Sequence, residues 1–386
     1  MTDMTNQEFE DIRPYTDQEI PAAMERIATS SALPLLASYV CPDRTFDEVR
    51  AMLRSFNTIE DFQMGVMYHA NEQIIANSIT SFTCTGIDRL DPAAPYLFVS
   101  NHRDIMLDAS LLQNVLVDAG HKSSQITFGA NLMMNPVVID IGKSNKMFRV
   151  ERPGGSIKEF YKSSLHLSRY IRHAITEQRE SVWIAQRNGR TKDGIDRTDQ
   201  GIIKMFGMSR TDNKVESLNE LHIVPVAVSY EWESCDILKT IELYEKQRGP
   251  YIKKPGEDLN SILTGIAQPK GRVHIEFCKP LERDELQAFS DLTAGDFHKQ
   301  VATLIDHRIC TSYRLTPNNY IAHDIRYGNM EYADRYTPEE KKAFKDYMHK
   351  LSRYEEDCDI DQLFDIFLGI YSNPIDSKRL FSRHGA

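Results

Sequence analysis

Residues 95–116 read PYLFVSNHRDIMLDASLLQNVL, and the texture changes in the middle of the stretch. PYLFVS is a short run rich in aromatic and branched residues, the composition of a buried strand. From Asp104 onward, Ile105, Leu107, Leu111, Leu112 and Val115 supply the apolar positions of a helix. A strand that turns directly into a helix is the building unit of an α/β sheet. Such sheets present ligand-binding side chains at the ends of their strands, which is where Asn101 to Asp104 fall.

The same punctuation recurs on both sides of the junction. SFTCTGI, PYLFVS, QITFGA, MFRVE, SVWIAQ, HIVPVAVSYE and GRVHIEF are strand-like, and helical stretches separate several of them. The predicted fold class is α/β, a mixed, mainly parallel sheet with helices on both faces. The longest predicted helix follows Ser156, which forms a capping-box pattern with Glu159. Ile157, Phe160, Tyr161, Leu165, Tyr170, Ile171 and Ile175 would line one face of it, and Gly154 and Gly155 read as the loop leading to its cap. Residues 1–80 and 284–386 carry helical periodicity instead, so the chain divides into an N-terminal helical region (1–80), an α/β domain (81–283) and a C-terminal helical region (284–386). Thr337, Pro338 and Glu340 mark one helix start in the last region. A final helix is expected to stop near Asn373-Pro374.

Composition excludes some functions. The net charge of −10 over 386 residues argues against a general nucleic-acid binder, while leaving room for a local basic pocket. The six cysteines never occur at Cys-x-x-Cys spacing, which argues against a common zinc motif and fits a reducing compartment. The acidic, polar N-terminus is no secretory signal, and no apolar run approaches the ~18–20 residues of a membrane span. A cytoplasmic protein is expected.

The letters His-Arg-Asp also open a protein-kinase catalytic loop, which needs an Asn five residues after the Asp. Position 109 is Ala, and neither a Gly-rich loop nor an Asp-Phe-Gly accompanies it. The kinase reading therefore fails. The alternative makes His102 a general base whose second ring nitrogen is held by a nearby carboxylate. No Gly-x-Ser-x-Gly elbow offers a protein nucleophile, which favours direct attack by a substrate hydroxyl.

Asn101-His102 with Asp108, GKSNKMFRVER (142–152), RNGRTKDG (187–194) and IVPVAVSYE (223–231) follow one another over about a third of the chain. In content and order they resemble the four blocks of the glycerolipid acyltransferase family, the glycerol-3-phosphate and 1-acylglycerol-3-phosphate acyltransferases. Two departures stand out. His102 and Asp108 enclose five residues where the family has four, so Asp104 is the other candidate partner for His102. A one-residue bulge at the helix entry would restore the pairing with Asp108 and leave Asp104 as a cap or first-turn residue. Asn188 stands where the family's third block has Glu, which bears on the acceptor more than on the transfer step.

The resemblance implies a glycerol-3-phosphate acyltransferase-like fold and transfer of a fatty acyl group from an acyl-CoA or acyl-carrier-protein thioester to a hydroxyl. The acceptor would be glycerol-3-phosphate, lysophosphatidate or a related polar lipid precursor. His102 is then the base and Asp108 (or Asp104) its partner. Arg149, Arg152, Arg187, Asn188, Gly189, Arg190 and Lys192 form the substrate-binding set, with Arg149 and Arg190 on the acceptor's anionic group. No metal and no cofactor beyond the acyl thioester co-substrate is expected. Peripheral contact with a membrane is, through KMFGM (204–208) or the N-terminal helices. The departures also leave open a lipid- or carrier-binding protein without turnover, and an enzyme with an amino-acid-type lipid acceptor.

Overall fold

The computed structural model describes residues 8–133, 135–151, 156–354 and 358–383. All seven predicted strands form: β1 (Ile79–Thr85), β2 (Leu97–Ser100), β3 (Gln125–Gly129), β4 (Met147–Val150), β5 (Val182–Ala185), β6 (Ile223–Tyr230) and β7 (Gly271–Phe277). They make one sheet in the order β1-β7-β6-β2-β5-β3-β4. Every pairing is parallel except the antiparallel β6–β7 pair, so the sheet is mixed and mainly parallel, as expected.

Alternation explains why the central strands are apolar throughout. Leu97 and Val99 of β2 enter one hydrophobic core and Phe98 enters the other, on the opposite face. With both faces covered, no position on β2 or β6 is left for water. The Leu107–Asp118 helix contributes Leu111, Leu112 and Val115 to one core. The Ile157–Thr176 helix contributes Tyr170, Ile171 and Ile175 to the other.

The predicted capping box of that second helix is present: the Glu159 amide donates to Ser156 Oγ, and Glu159 Oε2 accepts from the Ser156 amide at 2.8 Å. The predicted apolar stripe is buried only along its far half. Ile157, Phe160 and Tyr161 are 91%, 44% and 57% exposed, because the helix begins beyond the edge of the core it covers. The last helix also departs from expectation: it runs Ile360–Arg383, straight through Pro374. Proline there removes one helical hydrogen bond. Burial of Phe367, Tyr371 and Ile375 on either side of it outweighs that loss. Tertiary packing, absent from a local pattern, decides the element.

The flanking helices form their own cores. One gathers Ile20, Met24, Leu53 and Phe62, and the other Ile321, Phe344, Phe367 and Tyr371. Among the described residues no helix is long and apolar enough to cross a membrane. In strand order β2 lies between β5 and β6, while the chain reaches β3 before β5, so the connections diverge around β2. The carboxyl ends of β2, β5 and β6 meet at that point, where an open α/β sheet forms its ligand crevice.

Candidate active site

His102 leaves the end of β2, and its Nδ1 lies 2.9 Å from Asp108 Oδ2. Asp108 is fully buried in the first turn of the Leu107–Asp118 helix, where the helix dipole favours an anion. Its Oδ2 also accepts the amides of Arg103 (2.6 Å) and Asp104 (2.9 Å). Its Oδ1 accepts the hydroxyl of Tyr230, at the end of β6, at 2.8 Å. Burial and the neighbouring carboxylate push the Tyr230 phenol far above its ordinary pKa, so it stays a donor. With Nδ1 committed to Asp108, Nε2 is left for the cavity that His102 lines. The Trp183 ring stands edge-on to the imidazole at 5.7 Å and limits its rotation.

Asp104 has different work. Its Oδ1 accepts the amides of Met106 and Leu107, both at 2.8 Å, capping the helix that carries Asp108. Its other oxygen takes the hydroxyl of Ser234. The fifth residue between His102 and Asp108 is absorbed in the irregular turn before Leu107, whose amides fold back onto the Asp108 carboxylate.

The residues flanking His102 are fixed from below. The Asn101 carboxamide continues the β2–β6 ladder by one rung, accepting from the Val228 amide (2.7 Å) and donating to the Val228 carbonyl (3.0 Å). Its Nδ2 also reaches Asp196 Oδ2 at 3.0 Å. Arg103, 1% exposed, donates to Asp196 at 2.6 Å and to Glu233 at 3.3 Å. Burial opposes the charge of Arg103, but those two carboxylates outweigh it and hold the guanidinium protonated. Lys239 closes the network by donating to Glu233 (2.6 Å) and to the Arg103 carbonyl (2.7 Å). Asp196 also accepts the Thr191 hydroxyl at 2.8 Å, while the Thr191 amide donates to the His102 carbonyl at 2.7 Å. One buried carboxylate thus ties both neighbours of His102 to the 187–194 turn.

That turn borders a cavity of about 850 Å³ with two kinds of wall. Ile105, Ile126, Phe128, Met147 and Trp183 are among its apolar lining, while Arg187, Arg190, Lys192 and Lys204 bring positive charge. Nη1 of Arg190 is buried and makes no hydrogen bond among the described residues. Lys192 is engaged by the buried Glu242, which also accepts Lys246 at 2.7 Å. Burial pushes Lys192 down to about 8 despite that partner. Asn188 and Gly189 line the same cavity at the exposed tip of the turn.

Two expectations are not met by this placement. Arg149 lies on the edge strand β4, half exposed and paired with Glu151 at 2.7 Å; its neighbour Val150, not Arg149, reaches the cavity. KMFGM does not form a surface patch, since Phe206 is buried in the core and Met205 and Met208 line the cavity. Arg152, with Gly154 and Gly155, lies outside the described residues.

Tyr230, Thr191, Asp196 and Arg103 escaped the sequence reading. Tyr230 acts on Asp108 across 122 residues and Asp196 on Asn101 across 95, contacts that only the folded sheet creates. The one local signal was the appearance of polar side chains where the all-apolar β6 run ends.

Residues 81–229 match the family model described as Acyltransferase. No curated protein matches the chain. Among solved structures, the crystal structure of the 1-acyl-sn-glycerophosphate (LPA) acyltransferase PlsC from Thermotoga maritima is similar over 74% of this chain and 92% of that one. Its sequence identity is 10% and its TM-score 0.35. The family match begins inside β1, ends inside β6 and contains the His102–Asp108 pair together with the 187–194 turn. Residues 81–229 of this chain are therefore similar to the acyltransferase family.

Proposed function

We propose that the protein transfers a fatty acyl group from an acyl thioester, acyl-CoA or acyl-carrier protein, to a hydroxyl of glycerol-3-phosphate, lysophosphatidate or a related polar lipid precursor. Nε2 of His102 takes the proton of the acceptor hydroxyl as its oxygen attacks the thioester carbonyl. Asp108 holds the tautomer and stabilises the imidazolium that forms. The tetrahedral intermediate collapses, the C–S bond breaks, and the imidazolium returns the proton to the leaving thiolate. The products are an ester and a free thiol, with no metal or redox partner in the balance.

The observation that carries this reading is the division of the cavity around His102. Apolar side chains suit an acyl chain, and Arg190, whose Nη1 makes no hydrogen bond among the described residues, with Arg187 suits an anionic acceptor group. A phosphate would meet the bidentate geometry of those guanidinium groups.

The test is incubation of purified protein with labelled acyl thioester and a panel of acceptors, beside His102→Ala. The variant is expected to lose about 10²–10⁴-fold in turnover, the usual worth of a positioned base. Equal product from both proteins would remove His102 from the role. Absence of product with every acceptor would favour a lipid-binding protein that uses the same cavity without turnover. Product only with a carboxylate-bearing acceptor would assign the cations to an amino-acid-type lipid.

A further inference from the structure

We infer that Tyr230 is a positioning residue of the His102–Asp108 pair, one whose hydroxyl limits how tightly Asp108 holds a proton on the imidazole. Asp108 divides its donors unequally. Its Oδ2 receives His102 Nδ1 and the amides of Arg103 and Asp104. Its Oδ1 receives, among the described residues, the Tyr230 hydroxyl alone, at 2.8 Å. Tyr230 and Asp108 are 1% and 0% exposed, so bulk water does not compete for that oxygen. The sheet fixes where the hydroxyl sits. Tyr230 ends β6 in register with Val273 of the antiparallel β7, and its ring lies in the same core as Val226 and Val228.

The consequence is electrostatic. A hydrogen bond from a neutral donor draws charge from a carboxylate without cancelling it. Asp108 so engaged stabilises the imidazolium less than it would with a bare oxygen, and His102 releases its proton at a lower pH. Tyr230 stays a donor, because burial and the carboxylates of Asp108 and Asp104 oppose its ionisation. A base that must be unprotonated when the acceptor hydroxyl arrives gains from that restraint. Its value in catalysis rests on the proposed acyl transfer; the hold on the imidazole does not. The other charges nearby are Asp104 and Glu233, with the cations Arg103, Lys239 and Lys270 around them. Along the cavity that His102 lines stand Arg187, Arg190, Lys192, Asp193, Asp199 and Lys204. None of these changes when the Tyr230 hydroxyl is removed, so a displaced titration of His102 reports the one hydrogen bond.

The experiment follows the His102 ring by NMR across pH in full-length, ligand-free protein labelled at its histidines, with His102→Ala to assign the resonance. Wild type, Tyr230→Phe and Tyr170→Phe are compared, beside the pH profile of kcat/KM with a soluble short-chain thioester and glycerol-3-phosphate. Tyr230→Phe should move the His102 titration upward by roughly 0.5–1 pH unit and carry the acid limb of kcat/KM with it. On that limb the variant is then about three- to tenfold slower. KM should stay near the wild-type value, since Tyr230 lies outside the cavity lining. Tyr170, 1% exposed, donates to Gln125 at 2.6 Å in the opposite core. Tyr170→Phe thus loses a comparable buried hydrogen bond away from His102 and should leave both curves in place. If Tyr230→Phe does not fold, 3-fluorotyrosine at position 230 decides: a more acidic phenol donates more strongly and should lower the His102 titration. An unmoved or lowered titration in Tyr230→Phe, an unmoved or raised one with 3-fluorotyrosine, or an equal shift in Tyr170→Phe overturns the inference. Wild-type protein that transfers no acyl group removes the proposed function, and the NMR titration still decides the role of Tyr230.

Discussion

Asp108 receives four hydrogen bonds on two oxygens: His102, the amides of Arg103 and Asp104, and Tyr230. Three of those donors would persist around an amide oxygen, but an amide cannot stabilise an imidazolium as a carboxylate does. Asp108→Asn should therefore fold and lose about 10²–10⁴-fold in acyl-transfer rate. Asp104→Asn should behave differently, because Asp104 serves the amides of Met106 and Leu107 and asparagine caps helices nearly as well. Its expected cost is about 1 kcal/mol of stability or less with a small change in rate. Steady-state rates of the two variants beside their urea midpoints check this, and a larger rate loss at Asp104 would reverse the two roles. His102 and its two candidate aspartates were legible because they sit within seven residues at a strand-to-helix junction. Which aspartate faces the ring was not, since that depends on how the turn before Leu107 coils.

At the scale of elements, all seven strands were legible, because each is a short branched or aromatic run bounded by polar residues. Both capping boxes, at Ser156–Glu159 and Thr337–Glu340, were legible for the same local reason. The extent of an apolar stripe was not: Ile157 and Ile171 look alike in sequence, but only Ile171 finds a sheet beneath it. A similar long-range fact governs the Ala294–Ser312 helix. Its Asp306 holds the loop after Asp196 by accepting the Thr198 amide (2.7 Å) and hydroxyl (2.6 Å). Burial raises this carboxyl to about 6, partly offset by the Thr198 bonds. Between the unfolded value of 3.8 and about 6 the folded chain keeps a proton that the unfolded chain has released. This group's contribution to stability thus falls as pH rises through that window, by up to about 3 kcal/mol, and is flat above it. Asp306→Asn keeps an acceptor for Thr198 and removes the ionisation. The variant should be more stable than the wild type at neutral pH, with the gap closing toward pH 4. Urea unfolding across that range measures it, and a gap independent of pH would contradict the assigned titration.

Seen as one molecule, the C-terminal flank is part of the site's scaffold. Asn373 donates to the Asp193 carbonyl at 2.7 Å, and Tyr371 donates to the buried Asp236 at 2.6 Å while accepting the Glu233 amide at 3.0 Å. The contact at Gly194 follows from Pro374. A proline in a helix leaves the carbonyl four residues earlier without its helical donor, and that carbonyl belongs to Ile370. A Cβ at Gly194 would stand 2.2 Å from the same oxygen, so only glycine lets the end of the third block approach it. Nothing local in RNGRTKDG announces a partner some 180 residues downstream, and for that reason the helical flank could be located but not given a role. Gly194→Ala tests the coupling against Gly189→Ala. Both glycines have positive φ, +79° and +75°, so alanine carries a similar backbone penalty of about 1 kcal/mol at each. At Gly189 an added Cβ meets nothing within 4 Å, whereas at Gly194 it meets the helix backbone. Gly194→Ala should therefore cost about 2 kcal/mol or more beyond Gly189→Ala in chemical unfolding. It should also raise the KM for the acceptor, because the turn that shifts carries Arg190 and Lys192. Equal stability of the two variants would mean that the 187–194 turn does not depend on the C-terminal helix for its position.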